Sequence, residues 1–116
     1  MSQIVYLATP YSYKGNDKAI EKMVMNRRYE RALDITAELL NRGLIVYCPI
    51  VHFHNIAKKH ALPTDAEYWK KCNDQYLLAC GTMIVAKMKG WTSSVGVAYE
   101  IEFARDHGIP VDYLTV

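Results

Sequence analysis

Four short runs punctuate the chain: "IVYLA" at Ile4–Ala8, "LIVYC" at Leu44–Cys48, "TMIVA" at Thr82–Ala86 and "VDYLT" at Val111–Thr115. Each has Gly or Pro close to one end; the first two are continuously apolar, and the third is so after Thr82. An apolar run of about five residues bounded by turn residues reads as a strand buried on both faces. The stretches between them carry helical signals. From Lys18 to Arg42, Ile20, Val24, Ala32, Ile35 and Leu39 recur at helical spacing, and Gly43 stands where a C-terminal cap belongs. Thr64-x-x-Glu67 is a capping-box pattern that opens a helix to about Ala79. A third helix runs from about Val95 to His107, closed by Gly108 and Pro110. The stretch "PIVHFHNIAKKHALP" reads as irregular or as a short helix, and "TPYSYKGND" and "KMKGWTSSVG" read as loops.

The order β-α-β-α-β-α-β predicts an α/β fold: one three-layer domain with a parallel sheet of four to five strands and helices on both faces, flavodoxin-like or Rossmann-like. Crossovers should be right-handed. A length of 116 residues suits one domain spanning the whole chain. In such sheets ligands bind beyond the carboxyl ends of the strands. That gathers Thr9–Gly15, Pro49–His54 and Gly90–Gly96 around one crevice, with Thr9 and Ser12 among its candidate binding residues.

A net charge of +2 is too small to imply a nucleic-acid partner or an anionic membrane surface. Pairs such as Lys58-Lys59 and Lys70-Lys71 read as solvated surface. The three cysteines, Cys48, Cys72 and Cys80, form no CxxC pair, so neither a disulfide framework nor a zinc site is favoured. No signal-peptide pattern precedes the first strand, and no apolar run approaches the ~18–20 residues of a membrane span. These features predict a cytoplasmic protein with no membrane contact.

One charge is out of place. In "SSVGVAYEIEFA", Val97, Ile101 and Ala104 form the apolar stripe of a helix, and Glu100 borders it. Gly96, one turn earlier, carries no side chain and leaves space over that carboxylate. Backbone N–H groups near Ser94–Gly96 would attract an anion. The stretch therefore supplies a carboxylate facing the crevice, or else Glu100 pairs with a Lys or Arg of a neighbouring element. Glu102 faces water. Ser93 and Ser94 read as N-caps. His52 and His54, two apart, would point the same way on extended chain, lining the pocket or, with a third ligand, holding a metal. Trp91, in the loop before Ser94, is placed to stack on a planar ligand. Trp69 shares its helix face with Cys72, Tyr76 and Cys80, which reads as core packing. Asp74 lies off that face, as a solvated residue would.

With those residues in view, the chain resembles the nucleoside 2-deoxyribosyltransferase superfamily, which includes the Rcl-type 2'-deoxynucleoside 5'-monophosphate N-glycosidases and small phage or bacterial relatives. "IVYLATPYS" is similar to their opening strand and loop, and "DQYLLACGTMIVAKMKGW" to the segment with a helix Asp and the third strand. "SSVGVAYEIEFARDHGIPV" is similar to their Ser/Asp-x-Gly-x-x-x-Glu-x-x-x-Ala block and closing Gly-x-Pro-Val. The resemblance spans nearly the whole chain. It implies Glu100 as nucleophile, Asp74 as an assisting carboxylate, and Tyr6 as an active-site tyrosine. It further implies Ser94 at the 5' end of the substrate and Gly96 as the glycine that opens the site.

The implied activity is cleavage of the N-glycosidic bond of a 2'-deoxynucleoside or its 5'-monophosphate, with the sugar passed to water or another base. The implied partner is that small molecule, with no cofactor and no metal, in a homo-oligomer. The chain departs from the pattern in three places. Pro10 stands where the N-glycosidases carry a serine, the first loop has no Arg, and Gly81 stands where an Asp is usual. Ser12 and Lys14 are the candidate replacements for the phosphate contacts. The competing reading is a module of the same fold that binds a nucleotide or nucleotide-derived signal without turnover. A purely structural protein would make no use of Glu100.

Overall fold

The computed structural model describes residues 2–116. Its four strands are β1 (Ile4–Ala8), β2 (Ile45–Tyr47), β3 (Thr82–Ala86) and β4 (Val111–Leu114). All neighbours pair in parallel, in the order β2-β1-β3-β4. The helices are α1 (Lys18–Asn41), α2 (Pro49–His60), α3 (Ala66–Leu78) and α4 (Val95–Asp106), with a short 3₁₀ turn at Trp91–Ser93 before α4. This is the expected α/β architecture, a Rossmann-like domain with a four-stranded parallel sheet.

Strand alternation divides the core in two. Leu7 of β1 and Ala86 of β3 face a layer containing Ala32, Ile35 and Leu39 of α1 and Ile50, Phe53 and Ala57 of α2. Tyr6 and Ala8 of β1, with Met83 and Val85 of β3, face Leu77 of α3 and Val97 and Ala104 of α4. Because helices cover both faces of the two central strands, β1 and β3, most of their side chains are buried. β2 is an edge strand: its Ile45 is 54% exposed, so the expected fully buried strand is only partly covered.

Local chemistry sets the element ends. Asp17 caps α1, accepting hydrogen bonds from the Ala19 and Ile20 amides, and Gly43 follows its end at φ +87°. The cap of α3 is Asp65, whose side chain accepts from the Tyr68 amide, rather than the expected Thr64. Thr64 instead gives its carbonyl to the Ser12 hydroxyl at 2.6 Å. The stretch after β2 is a full helix, with Pro49 in its first turn, where a missing N–H costs nothing. Its buried stripe is Ile50, Phe53, His54 and Ala57. A histidine occupying one apolar position hid the period.

Gly81 enters β3 at its amino end, and its amide donates to the Ile4 carbonyl at 2.9 Å. A Cβ there would stand 2.0 Å from the Ser2 carbonyl oxygen. The sheet therefore has no room for the Asp usual at this position in the resembled family. The site is at the other end of the strands. Gly81→Ala is expected to cost about 1–3 kcal/mol of stability, since the backbone of the first strand has to move. A urea titration checks this; an unchanged midpoint would show that the N-terminus yields freely.

Candidate functional site

The connection from β1 leads away to β2 on one side, while β3 lies on the other. The crevice between these diverging connections, beyond the carboxyl ends of β1 and β3, is the usual ligand position in an open parallel sheet. A cavity of about 680 Å³ occupies it, a size that suits a small organic ligand. Its walls come from the loop after β1, the start of α2, the start of α3 and the Gly90–Glu100 segment.

Glu100 lines this cavity from α4, which Ser94 caps by accepting from the Val97 amide at 3.2 Å. The Tyr6 hydroxyl, from the middle of the sheet, donates to Glu100 Oε2. Tyr6 is fully buried and lies behind the carboxyl group, not on the cavity surface. Burial raises the Glu100 pKa to about 7, the Tyr6 hydrogen bond opposes that rise, and the Asp74 charge adds to it. Burial, then the Glu100 charge and hydrogen bond, hold the Tyr6 phenol well above its ordinary value, so it remains a donor. Among the described residues the only ion pair is Arg42–Glu38 on the surface of α1, so Glu100 has no Lys or Arg partner. The alternative of a structural pair is thereby removed.

The other expected residues divide. Thr9, Ser12, Ser94 and Gly96 line the cavity. Thr9 is 5% exposed, and its Oγ1 has no hydrogen-bond partner within the protein. Gly96 faces α3, where a Cβ would meet the Ala66 Cβ at an ordinary 3.5 Å. Asp74 is not on the wall. Its two carboxylate oxygens each accept from the Tyr99 hydroxyl at 2.9 Å, so it is half-buried and bonded rather than solvated.

Two expectations are corrected. Trp91 packs against the α3–α4 core layer and tilts against Tyr113, which turns it away from the cavity. His52 and His54 lie on a helix, where residues two apart diverge by about 200°. His54 is buried, stacked on Tyr29 at 3.9 Å and hydrogen-bonded through Nδ1 to the Tyr11 hydroxyl at 2.7 Å. His52 is exposed beside Tyr47 and Tyr76 and lines no part of the cavity.

Residues 3–115 match the family described as "Domain of unknown function (DUF1937)". The chain belongs to that family. No curated protein matches it.

Other residues of this DUF1937 domain reach the cavity without an obvious sequence signal. Trp69 lies parallel to Phe53 at 4.2 Å and 5°, and Tyr11 meets Phe53 edge-on, so one wall is aromatic. Trp69 was expected in the core. It does pack there, and its Nε1 donates to the Pro63 carbonyl at 2.8 Å, but the ring also faces the cavity. Arg28 arrives from α1 and donates to the carbonyls of Tyr11 (3.2 Å) and Ser12 (2.8 Å). Partial burial lowers its pKa, yet a guanidinium keeps its charge. Arg28 thus clamps the loop after β1 and leaves a cation on the cavity wall, near Lys14. Gly90, at φ +89°, would put a Cβ 2.6 Å from Arg28 Nη2, which is why the chain passes the guanidinium without a side chain.

Proposed function

We propose that this protein cleaves the N-glycosidic bond of a 2'-deoxynucleoside or its 5'-monophosphate, with Glu100 as nucleophile. The observation that carries the reading is Glu100 itself: a carboxyl group on the cavity wall, tuned to about pH 7 and held by a buried tyrosine instead of a cation. The motif resemblance around Ser94–Ala104 gives it its substrate class. The aromatic wall of Phe53, Trp69 and Tyr11 suits a planar base, and Arg28 and Lys14 suit a phosphate.

In the proposed reaction the ionised Glu100 attacks C1' as the bond to the base nitrogen breaks. The bonding electron pair leaves with the base, which takes up a proton from solvent. The developing positive charge at C1' collapses to an ester with Glu100. Water, or a second base, then displaces the carboxylate from C1' and loses a proton in doing so. Tyr6 positions the carboxyl group and stabilises its charge. Exposed Ile20, Met23 and Leu40 on α1, with Ile45 on β2, support a homo-oligomer. The free cysteines, two of them buried, support a reducing cytoplasm.

The test is to incubate the protein with each 2'-deoxynucleoside and each 5'-monophosphate and to follow free base by chromatography. Base release from at least one substrate is expected, with a sugar–enzyme adduct visible by mass spectrometry after acid quench. Binding without base release from any of them would replace this reading with the binding-module one.

A further inference from the structure

We propose that Tyr99, held by Asp74 as a hydrogen-bond acceptor, selects ligands that carry a donor group beside the bond Glu100 attacks. The identity of that bond rests on the proposed glycosidic activity; the acceptor role of Tyr99 does not.

A phenol has one hydrogen to give. Both Asp74 oxygens lie 2.9 Å from the Tyr99 hydroxyl, and an ionised carboxylate only accepts, so that hydrogen is committed to Asp74. Partial burial, followed by the Asp74 hydrogen bond and charge, raises the Tyr99 pKa to about 12, so the hydrogen stays in place through neutral pH. What the hydroxyl oxygen has left is acceptor capacity. Tyr99 lines the cavity and Asp74 does not, so a ligand meets this carboxylate only through the tyrosine. The Lys70 ammonium, 4.6 Å over the ring, adds to the hold on its orientation. Tyr99 and Glu100 line the same cavity, and the Glu100 charge is among those that raise the Tyr99 pKa, so an acceptor of fixed polarity shares the cavity with the proposed reacting carboxylate.

Such an acceptor rewards an N–H or O–H on the ligand and, when that group is missing, is left with a lone pair that the bound ligand shields from water. Two donors of 2'-deoxyadenosine that its 5'-monophosphate keeps carry this chemistry: the amino group on the base and the 3'-hydroxyl of the sugar. Asp74 is then a positioning residue that acts through Tyr99.

The test compares kcat/KM for 2'-deoxyadenosine, purine 2'-deoxyriboside (no amino group) and 2',3'-dideoxyadenosine (no 3'-hydroxyl), and for their 5'-monophosphates. Each is measured with the wild type, Tyr99→Phe and Asp74→Ala. The wild type is expected to favour the parent over one analogue, and Tyr99→Phe to reduce that one preference by about 10-fold or more. Asp74→Ala should reduce the same preference, because the hydroxyl is then free to turn its hydrogen to the ligand. Comparing ratios between proteins cancels the differing lability of the glycosidic bonds, and a folding defect lowers all substrates together. The proposal is overturned if Tyr99→Phe leaves both ratios unchanged. If the wild type releases no base, the glycosidic reading fails, and the same ratios are read as Kd by calorimetry. Coupling to Tyr99 there upholds the acceptor role; its absence, or binding of none of the compounds, overturns it.

Discussion

Glu100→Gln is expected to abolish base release and to make the protein more stable above pH 7. The activity loss should be about 10³-fold or more, as for removal of other nucleophiles, since the amide cannot form the ester. The stability gain follows from linkage. The folded carboxyl group titrates near pH 7, whereas in the unfolded chain it titrates near the ordinary ~4.3. Between those values the folded state keeps a proton that the unfolded state has released. Folding stability therefore falls as pH rises through that window and levels off above it. The full shift corresponds to roughly 4 kcal/mol, and the partial exposure of Glu100 brings the expected penalty to about 1–3 kcal/mol. Glutamine keeps the shape without the charge, so the variant should melt several degrees higher at pH 8 and nearly as the wild type at pH 4. Activity profiles and thermal melts at both pH values check this. A variant that stays active removes Glu100 as nucleophile; one that is less stable at pH 8 shows that the ionised carboxylate supports the fold.

Tyr6→Phe should move the pH dependence of the same reaction. A nucleophilic carboxylate must be ionised, so wild-type kcat/KM is expected to rise with pH around a midpoint of about 7. The Tyr6 hydrogen bond is the influence that lowers the Glu100 pKa; burial and Asp74 both raise it. Without the hydroxyl the two raising influences act unopposed. The midpoint should rise by roughly one unit and activity at pH 7 should fall about 5-fold, recovering almost fully at pH 9. A midpoint that stays in place would mean that Tyr6 does not tune this carboxyl group.

The sequence carried the architecture because the strands declare themselves by continuous apolarity and the helices by period and caps. Where it misled, a single residue masked the pattern. His54 sits at an apolar position of α2, which left a 12-residue helix open between irregular chain and a short helix and placed His52 in a pocket it does not reach. Glu100 was visible as a charge bordering an apolar stripe, and Ser94 as a cap. The role of Tyr6 was not legible from spacing, because nothing in "IVYLA" says what a buried tyrosine will meet on the far side of a sheet. Arg28 and the Phe53–Trp69 wall belong to the same class: each comes from a different helix, and only packing brings them to one cavity. Tyr99 lay beside Glu100 in plain view, but its hydrogen bond to Asp74 is made across 25 residues.

Tyr6 and Glu100 are separated by 94 positions, nearly the length of the chain. The proposed reagent and the hydroxyl that offsets part of its burial therefore meet only after β1 has been enclosed in the sheet and α4 has docked on it. During synthesis Tyr6 is made 94 positions ahead of Glu100. Until the two ends join, Glu100 is an ordinary surface acid with no buried environment to tune it. A growing or truncated chain thus has no way to carry the tuned carboxyl group ahead of the complete fold. The docking of one helix thus closes the cavity and tunes its carboxyl group in a single event.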